Sequence, residues 1–228
     1  MKGKFIFATQ FKFFLTLAML YLTVSLACDI VAYKVVNVCG LLSIGAAFIF
    51  PLLYVFSDVL TEIFGEKPAR FVIIVHICCD FIFTVLILTI IHLPSPSSWH
   101  LQSAYNQVLN PMMRLYVAGI IGSLSSSFIN INILSRWKVL MKGRFFWLRS
   151  IGSTCIGIIS YTVITDLLAF RTALNTANLL EVTLVNLVSN ISFAILYTGF
   201  ATFLVKFLKS RLQIDAYEIA SFNPFKMI

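Results

Sequence analysis

The chain has 228 residues, of which 60% are hydrophobic and 11% charged, and its formal charge is +8. A soluble domain is nearer half apolar and a quarter charged, and a chain of this size cannot hide so much apolar side chain inside itself, so hydrocarbon must solvate much of its surface. The basic residues flank apolar runs, where they orient membrane helices, so the charge gives no reason to expect a nucleic-acid partner.

A bilayer crossing takes roughly 20 mostly apolar residues. Six runs meet that length, at 12–33, 41–63, 69–93, 112–134, 150–170 and 183–208. They predict an all-α membrane protein, a compact bundle of six transmembrane helices forming one domain over 1–228. Ahead of the first run stand Lys2 and Lys4, and Ser25-Leu26-Ala27-Cys28 is similar to a lipoprotein cleavage site. The apolar run continues from Phe13 to about Tyr33, however, which is too long for a signal peptide, so a retained first span is expected.

The second run carries the most informative residues. Asp58 and Glu62 are four apart and share one helix face. Tyr54 lies one turn before Asp58, Ser57 and Thr61 flank the stripe, and Pro51 stands one turn earlier, where it would bend the helix or free a carbonyl. An ionisable group in hydrocarbon costs roughly 3 kcal/mol or more, so such groups face the bundle interior. Two readings compete: a structural ion pair near the membrane interface, with Arg149 and Arg70 at comparable depth, or a site where a carboxylate reads ligand donors.

In the third run Asp80 lies mid-span with His76 one turn before it, so either a His–Asp pair or a packed neutral histidine is expected. The stretch 94–111, with Pro94, Pro96, Ser97 and Ser98, reads as an exposed loop. In the fourth run Gly119, Ser123 and Ser127 lie four apart, as do Gly122 and Ser126; Ser153 and Gly157 follow the same habit in the fifth. Small residues at this spacing let helix backbones approach, and plain helix packing is the expectation.

Asp29 and Asp166 lie near the outer ends of their spans, each followed five residues later by a base, Lys34 and Arg171; interface chemistry produces such a pattern more readily than an internal repeat. The sixth run brings Asn186, Asn190 and Tyr197 near one face, with Ser189 beside them, and amides inside a membrane bond another helix or a ligand. The five cysteines, Cys28, Cys39, Cys78, Cys79 and Cys155, are odd in number and lack metal-type spacing, which suits reduced packing residues.

Orientation follows from the bases. With a cytoplasmic N-terminus, that side holds Lys2, Lys4, Lys12, Lys67, Arg70, Arg136, Lys138, Lys142, Arg144, Arg149, Lys206, Lys209, Arg211 and Lys226. The opposite side holds Lys34, Arg114 and Arg171. Both termini are therefore expected in the cytoplasm. The sequence contains no phosphate-binding glycine loop, zinc-ligand pattern or Gly-x-Ser-x-Gly, so no enzyme, cofactor or metal is expected.

Three segments resemble the bacterial queuosine-precursor transporter family, also called vitamin-uptake-transporter-like. The run from Phe50-Pro51 through Ser57-Asp58-Val59, Glu62, Gly65 and Ala69-Arg70 is similar to its first signature. The run Phe146-Trp147-Leu148-Arg149, with Ser153-Thr154, resembles its motif before the fifth helix. The tail Asp215-Ala216-Tyr217-Glu218, then Phe222-Asn223-Pro224-Phe225, resembles a common family ending. The chain departs from the family in the fifth span, where Ile158 and Tyr161-Thr162 stand in place of a glutamine and an acid followed by Thr or Ser.

The resemblance implies a bacterial inner-membrane importer of queuosine precursors: 7-cyano-7-deazaguanine, 7-aminomethyl-7-deazaguanine or queuine. A carboxylate accepts the adjacent N–H donors of such a base with two bonds. Substrate-binding candidates are thus Asp58 and Glu62 for the base edge, Tyr54 or Trp147 for stacking, Arg149 for a carbonyl or for holding the carboxylates, and Asn186 and Asn190. Asp80 and the Asp58/Glu62 pair are candidates for carrying protons, the other sources of drive being another gradient or a partner ATPase. The alternatives are an importer of another planar or vitamin-like solute and a non-transporting membrane scaffold or partner subunit.

Overall fold

The computed structural model describes residues 2–32, 34–38, 41–170 and 176–216. Cys39, Arg171, Lys226 and the tail motif from Tyr217 to Phe225 lie outside the described residues. The elements run α1 (Lys2–Val31), β1 (Val35–Val38), β2 (Leu41–Ile44), a 3-10 turn (Gly45–Phe48), α2 (Pro51–Phe64), α3 (Glu66–Ile91), α4 (Gln102–Leu109), α5 (Met112–Leu140), α6 (Phe146–Phe170) and α7 (Thr176–Leu212). Among the described residues six segments are long and apolar enough to cross a membrane. The outward faces fit that medium: Phe71, Ile82, Leu86 and Ile90 of α3 and Leu184, Val188, Leu196 and Phe203 of α7 are exposed.

The second span departs from a single helix over 41–63. Its first residues pair instead with the end of the preceding segment, in an antiparallel hairpin with Val35 opposite Ile44 and Val36 opposite Ser43. The apolar Leu41-Leu42 pair joins the helical hydropathy run, which is why hydropathy merges strand and helix. The helix proper is short. Fourteen residues at 1.5 Å each span about 21 Å, and the four-residue 3-10 turn adds about 8 Å at 2.0 Å per residue. Together they approach the roughly 30 Å of a hydrocarbon core. Pro51 neither bends this helix nor breaks it; it begins it, at a position where its missing N–H leaves nothing unpaired. The loop 94–111 also holds a short exposed helix, α4.

Helix α2 is the axis of the bundle. Every residue from Leu53 to Ile63 is buried, and α1, α3, α5 and α7 all pack on it. A helix covered on every side is the place where polar side chains escape lipid altogether. Its core partners include Leu17, Val72, Ile73, Ile131, Leu134, Ala201 and Val205. Gly65 ends it, with its N–H on the Thr61 carbonyl at 3.1 Å and a φ of 96° that a Cβ would oppose, and α3 starts one residue later.

Small residues set the approach of α5 and α6, as their spacing predicts. A Cβ on Gly157 would lie 2.9 Å from the Tyr54 ring and 3.3 Å from the Ser126 carbonyl oxygen, whereas one on Gly199 would meet nothing within 4 Å. Gly157→Leu is therefore expected to lower stability by about 1–3 kcal/mol through overpacking, with Gly199→Ala near neutral. Thermal unfolding of the two purified variants against the parent protein measures the contrast.

Candidate functional site

The polar residues inside the bundle separate into two regions. The first closes one end of α2. Asp58, with no exposed surface, accepts from Asn130 of α5 at 2.6 Å, from Thr154 of α6 at 3.2 Å, and from the Ser150 hydroxyl. Glu62, 1% exposed, receives a two-pronged bond from the fully buried Arg149: Nη1 to Oε2 at 3.0 Å and Nη2 to Oε1 at 3.2 Å. Lys209 Nζ adds a bond to Oε1 at 2.6 Å. Lys138 donates to the Glu62 carbonyl oxygen at 2.6 Å and to Asp215 at 2.5 Å. Asp215 also accepts from Lys209 at 2.8 Å.

The Asp58/Glu62 face is thus a clamp. It joins α2 to α5, α6, α7 and the segment after α7, and it satisfies the carboxylates with fork-type and charge-assisted bonds. Neither acid lines the cavity described next, and Arg149 is spent on Glu62. In this structure these residues bond to the helices that line the cavity rather than to the cavity itself. Arg70 pairs instead with Glu66 one turn earlier and lies over the Phe128 ring at 5.3 Å. Trp147 is 49% exposed. On a helix its neighbours Phe146 and Ser150 take the inward face, leaving its indole outward and away from any stacking position.

The second region is a cavity of about 250 Å³ enclosed by α1, α2, α3, α5, α6 and α7. Ligand pockets usually measure about 300–1,000 Å³, so this one suits a solute of one or two rings. Its aromatic wall is Phe50, Tyr54 and Tyr161, with Phe50 and Tyr161 4.3 Å apart at 31° and Tyr54 edge-on to Phe50 at 5.7 Å. Its α6–α7 wall holds Thr162, Asp166, Asn186 and Asn190, and Asn186 donates to Asp166 at 3.4 Å. Its α1–α3 wall holds Ser25, Asp29, His76 and Asp80. There His76 Nε2 meets Ser25 Oγ at 2.5 Å and Asp80 Oδ2 at 3.2 Å.

Several atoms of this lining lack a hydrogen-bond partner among the described residues: Ser57 Oγ, His76 Nδ1, Asp80 Oδ1, Thr162 Oγ1 and Asn190 Oδ1. Buried polar groups are nearly always paired. Unpaired donors and acceptors converging on one hollow are the chemistry of a polar ligand site. Among the described residues no three His, Cys, Asp or Glu side chains converge as a metal ion requires.

Of the sequence candidates, the cavity brings together Tyr54, Asn186, Asn190 and Asp80, and it unites His76 with Asp80 as one of the two expected arrangements. Tyr197 leaves that face and bonds the Phe48 carbonyl at 2.9 Å. Gly119, Ser123, Ser126 and Ser127 line the cavity, while Gly122 packs against Tyr161 and Thr165, so of these small residues of α5 packing alone describes only Gly122. Cavity residues that the sequence did not mark as binding candidates are Tyr21, Ser25 and Thr165, with Tyr161-Thr162 standing out only against the family motif. Their signal is spacing: Tyr21–Ser25–Asp29, Tyr161–Thr165 and Thr162–Asp166 are each polar groups four apart on an apolar helix. Of the two departures from the family pattern, Tyr161 falls in the cavity wall, while Ile158 packs in a core cluster with Tyr54 and Ala194.

The clamp makes two predictions. Arg149→Ala takes the two-pronged partner from the buried Glu62 carboxylate, leaving it Lys209, and is expected to cost about 3 kcal/mol, while Arg149→Ala/Glu62→Ala costs less than the sum of the single changes; denaturation midpoints measure both. Burial pushes the Asp215 carboxyl up, but bonds from Lys138 and Lys209 outweigh it and hold it below the ordinary range. Its contribution is therefore complete at neutral pH and fades as pH falls below about 4 through the depressed folded value. Asp215→Asn should flatten that acid limb of the stability–pH curve.

Residues 44–204, more than half of the chain, match the model of a family described as "putative vitamin uptake transporter". The matched segment contains Asp58, Glu62, Lys138 and Arg149 of the clamp, without Lys209 and Asp215, and every cavity wall except that of α1. No curated protein and no solved structure matches the chain. The chain is a multi-pass membrane protein and belongs to that family of vitamin uptake transporters.

Proposed function

We propose that this protein imports a small planar solute of the 7-deazaguanine class, a queuosine precursor, across the bacterial inner membrane, with both termini in the cytoplasm. The observation that carries the reading is the cavity in the middle of the bundle, aromatic on one side and edged by unpaired hydrogen-bonding atoms on the other. A flat base presents two faces and a rim of donors and acceptors. Tyr54 and Tyr161 offer rings to its face, at roughly 1–3 kcal/mol by analogy with base stacking in nucleic-acid binders. Asn186, Asn190, Thr162 and Asp166 offer the mixed donors and acceptors that its rim needs.

The excess of bases at the clamp end supports the orientation. Lys138, Arg149 and Lys209 gather there, and cytoplasmic loops are rich in Lys and Arg. A scaffold needs neither the hollow nor its unpaired lining. A second reading, import of a different planar or vitamin-like solute, is favoured by Tyr161, which stands in the cavity wall where the family pattern has an acid.

The test is uptake of radiolabelled 7-cyano-7-deazaguanine, 7-aminomethyl-7-deazaguanine and queuine by cells lacking their own import. Parent protein should accumulate at least one of them. Asn190→Leu, which removes an acceptor and fills the hollow, should reduce uptake about ten-fold, the equivalent of about 1.4 kcal/mol, and Trp147→Ala should leave it unchanged. Failure of all three solutes to accumulate, with other planar solutes taken up, would move the assignment to the second reading.

A further inference from the structure

The α1–α3 wall of the cavity holds a short hydrogen-bonded chain built on a buried histidine. His76 is 6% exposed and Asp80 8%, one turn apart on α3, and Ser25 of α1 meets them both. His76 Nε2 is 2.5 Å from Ser25 Oγ and 3.2 Å from Asp80 Oδ2, and the Ser25 hydroxyl donates to the same Asp80 oxygen at 3.5 Å. A hydroxyl has one hydrogen to give. With that hydrogen on Asp80, Ser25 accepts from the ring, so the ring carries its own hydrogen on Nε2. Nδ1 is left with a lone pair and no partner among the described residues.

A neutral imidazole with one bare nitrogen is a place for one more proton, and histidine changes charge near neutral pH more readily than any other side chain. Asp80 supplies the counter-charge that an imidazolium needs, and among the described residues no lysine or arginine lines the cavity. Other titratable groups share the hollow with His76. They are Tyr21, edge-on to it at 5.1 Å, with Cys28 and Asp29 from α1, Tyr54 from α2 and Tyr116 from α5. Phenols and thiols are neutral near pH 7, and the hydrogen bond between the Asp29 and Asp80 carboxyls already holds a proton. Asp58 and Glu62 offer no such place, because the clamp closes them in.

We propose that His76, with Ser25 and Asp80, is a coupling-proton site, and that the solute enters together with one proton. The inference rests on the importer reading and names its drive. The site shares its cavity with the solute wall of Tyr54, Tyr161 and the α7 amides, so one rearrangement of the bundle carries both. The proton comes from water on the outer side, adds to Nδ1 and makes an imidazolium paired with Asp80. On the cytoplasmic side it returns to water and the neutral ring is restored.

The experiment uses full-length protein in liposomes with the membrane potential clamped at zero. The probes are labelled 7-cyano-7-deazaguanine and queuine. Two quantities are read: exchange of internal for external solute at equal pH, and accumulation with the outside about one pH unit more acidic than the inside. One proton per solute limits accumulation to about ten-fold for that gradient. The parent protein should approach the limit, and a protonophore should abolish it. His76→Gln should keep exchange within about two-fold and lose the accumulation. Asp80→Asn, which removes the counter-charge and keeps the shape, should show the same split. Retained exchange shows at once that the variants fold.

Parent protein that exchanges solute but ignores the pH gradient overturns the proton site and leaves the importer reading in place. So does a His76→Gln variant that accumulates as the parent does. So does one that loses exchange and accumulation together while its unfolding midpoint holds, since the ring would then be a solute contact. If His76→Gln fails to fold, the same outcomes are read on Asp80→Asn. Exchange of neither probe by the parent removes the deazaguanine reading and this inference with it.

Discussion

A carboxylate in a hydrocarbon slab persists only where cations and donors enclose it, and α2 carries two of them four residues apart. The organisation of the bundle follows from that demand. Arg149 enters with no exposed surface to meet Glu62, and Lys209 and Lys138 close in from α7 and α5. Asn130, Ser150 and Thr154 surround Asp58. To supply these partners, α5, α6 and α7 must converge on one end of a short central helix. Breaking such a cluster is expensive because it leaves a charge buried, so the clamp fixes how the helices sit relative to one another.

That convergence leaves room elsewhere. Phe50 and Tyr54 lie near the start of α2 and Asp58 and Glu62 toward its end, so one short helix contributes to both regions. The aromatic residues look into the hollow and the acids look into the clamp. The polar groups of the cavity are the reverse of those in the clamp: Ser57, His76, Asp80, Thr162 and Asn190 each present an atom with no hydrogen-bond partner among the described residues. A transporter needs this division. Its ligand groups must be available, and the frame that holds them must be satisfied without the ligand.

Much of the architecture was legible in the sequence because hydropathy is a local property. Six long apolar runs require six spans, and Gly65 marks the break between α2 and α3. The hairpin at 35–44 was not legible, since Leu41 and Leu42 read equally well as the start of a helix, and the short helix α4 lies in a loop with too little periodicity to reveal it. The site was half legible. Asp58 and Glu62 stood out by spacing, and a structural pair was one of the two readings they allowed. Whether a polar stripe meets another helix or a hollow depends on which faces come together, and spacing within one helix carries no record of that. Tyr21, Ser25 and Asp29 show the same limit: their four-residue spacing sits in plain view on α1, and only the packing of α3 and α5 turns it into a wall.

The central claim is that the solute occupies the cavity while the α2 carboxylates act from behind it. Photo-crosslinking with a diazirine-bearing 7-deazaguanine, followed by mass spectrometry of the labelled peptides, tests this most directly. The account predicts adducts on α6 and α7 around Tyr161, Thr162, Asn186 and Asn190, suppressed by unlabelled base. Suppressible adducts concentrated at Trp147, Arg149 or the residues around Glu62 would contradict it, because they would put the ligand in the clamp.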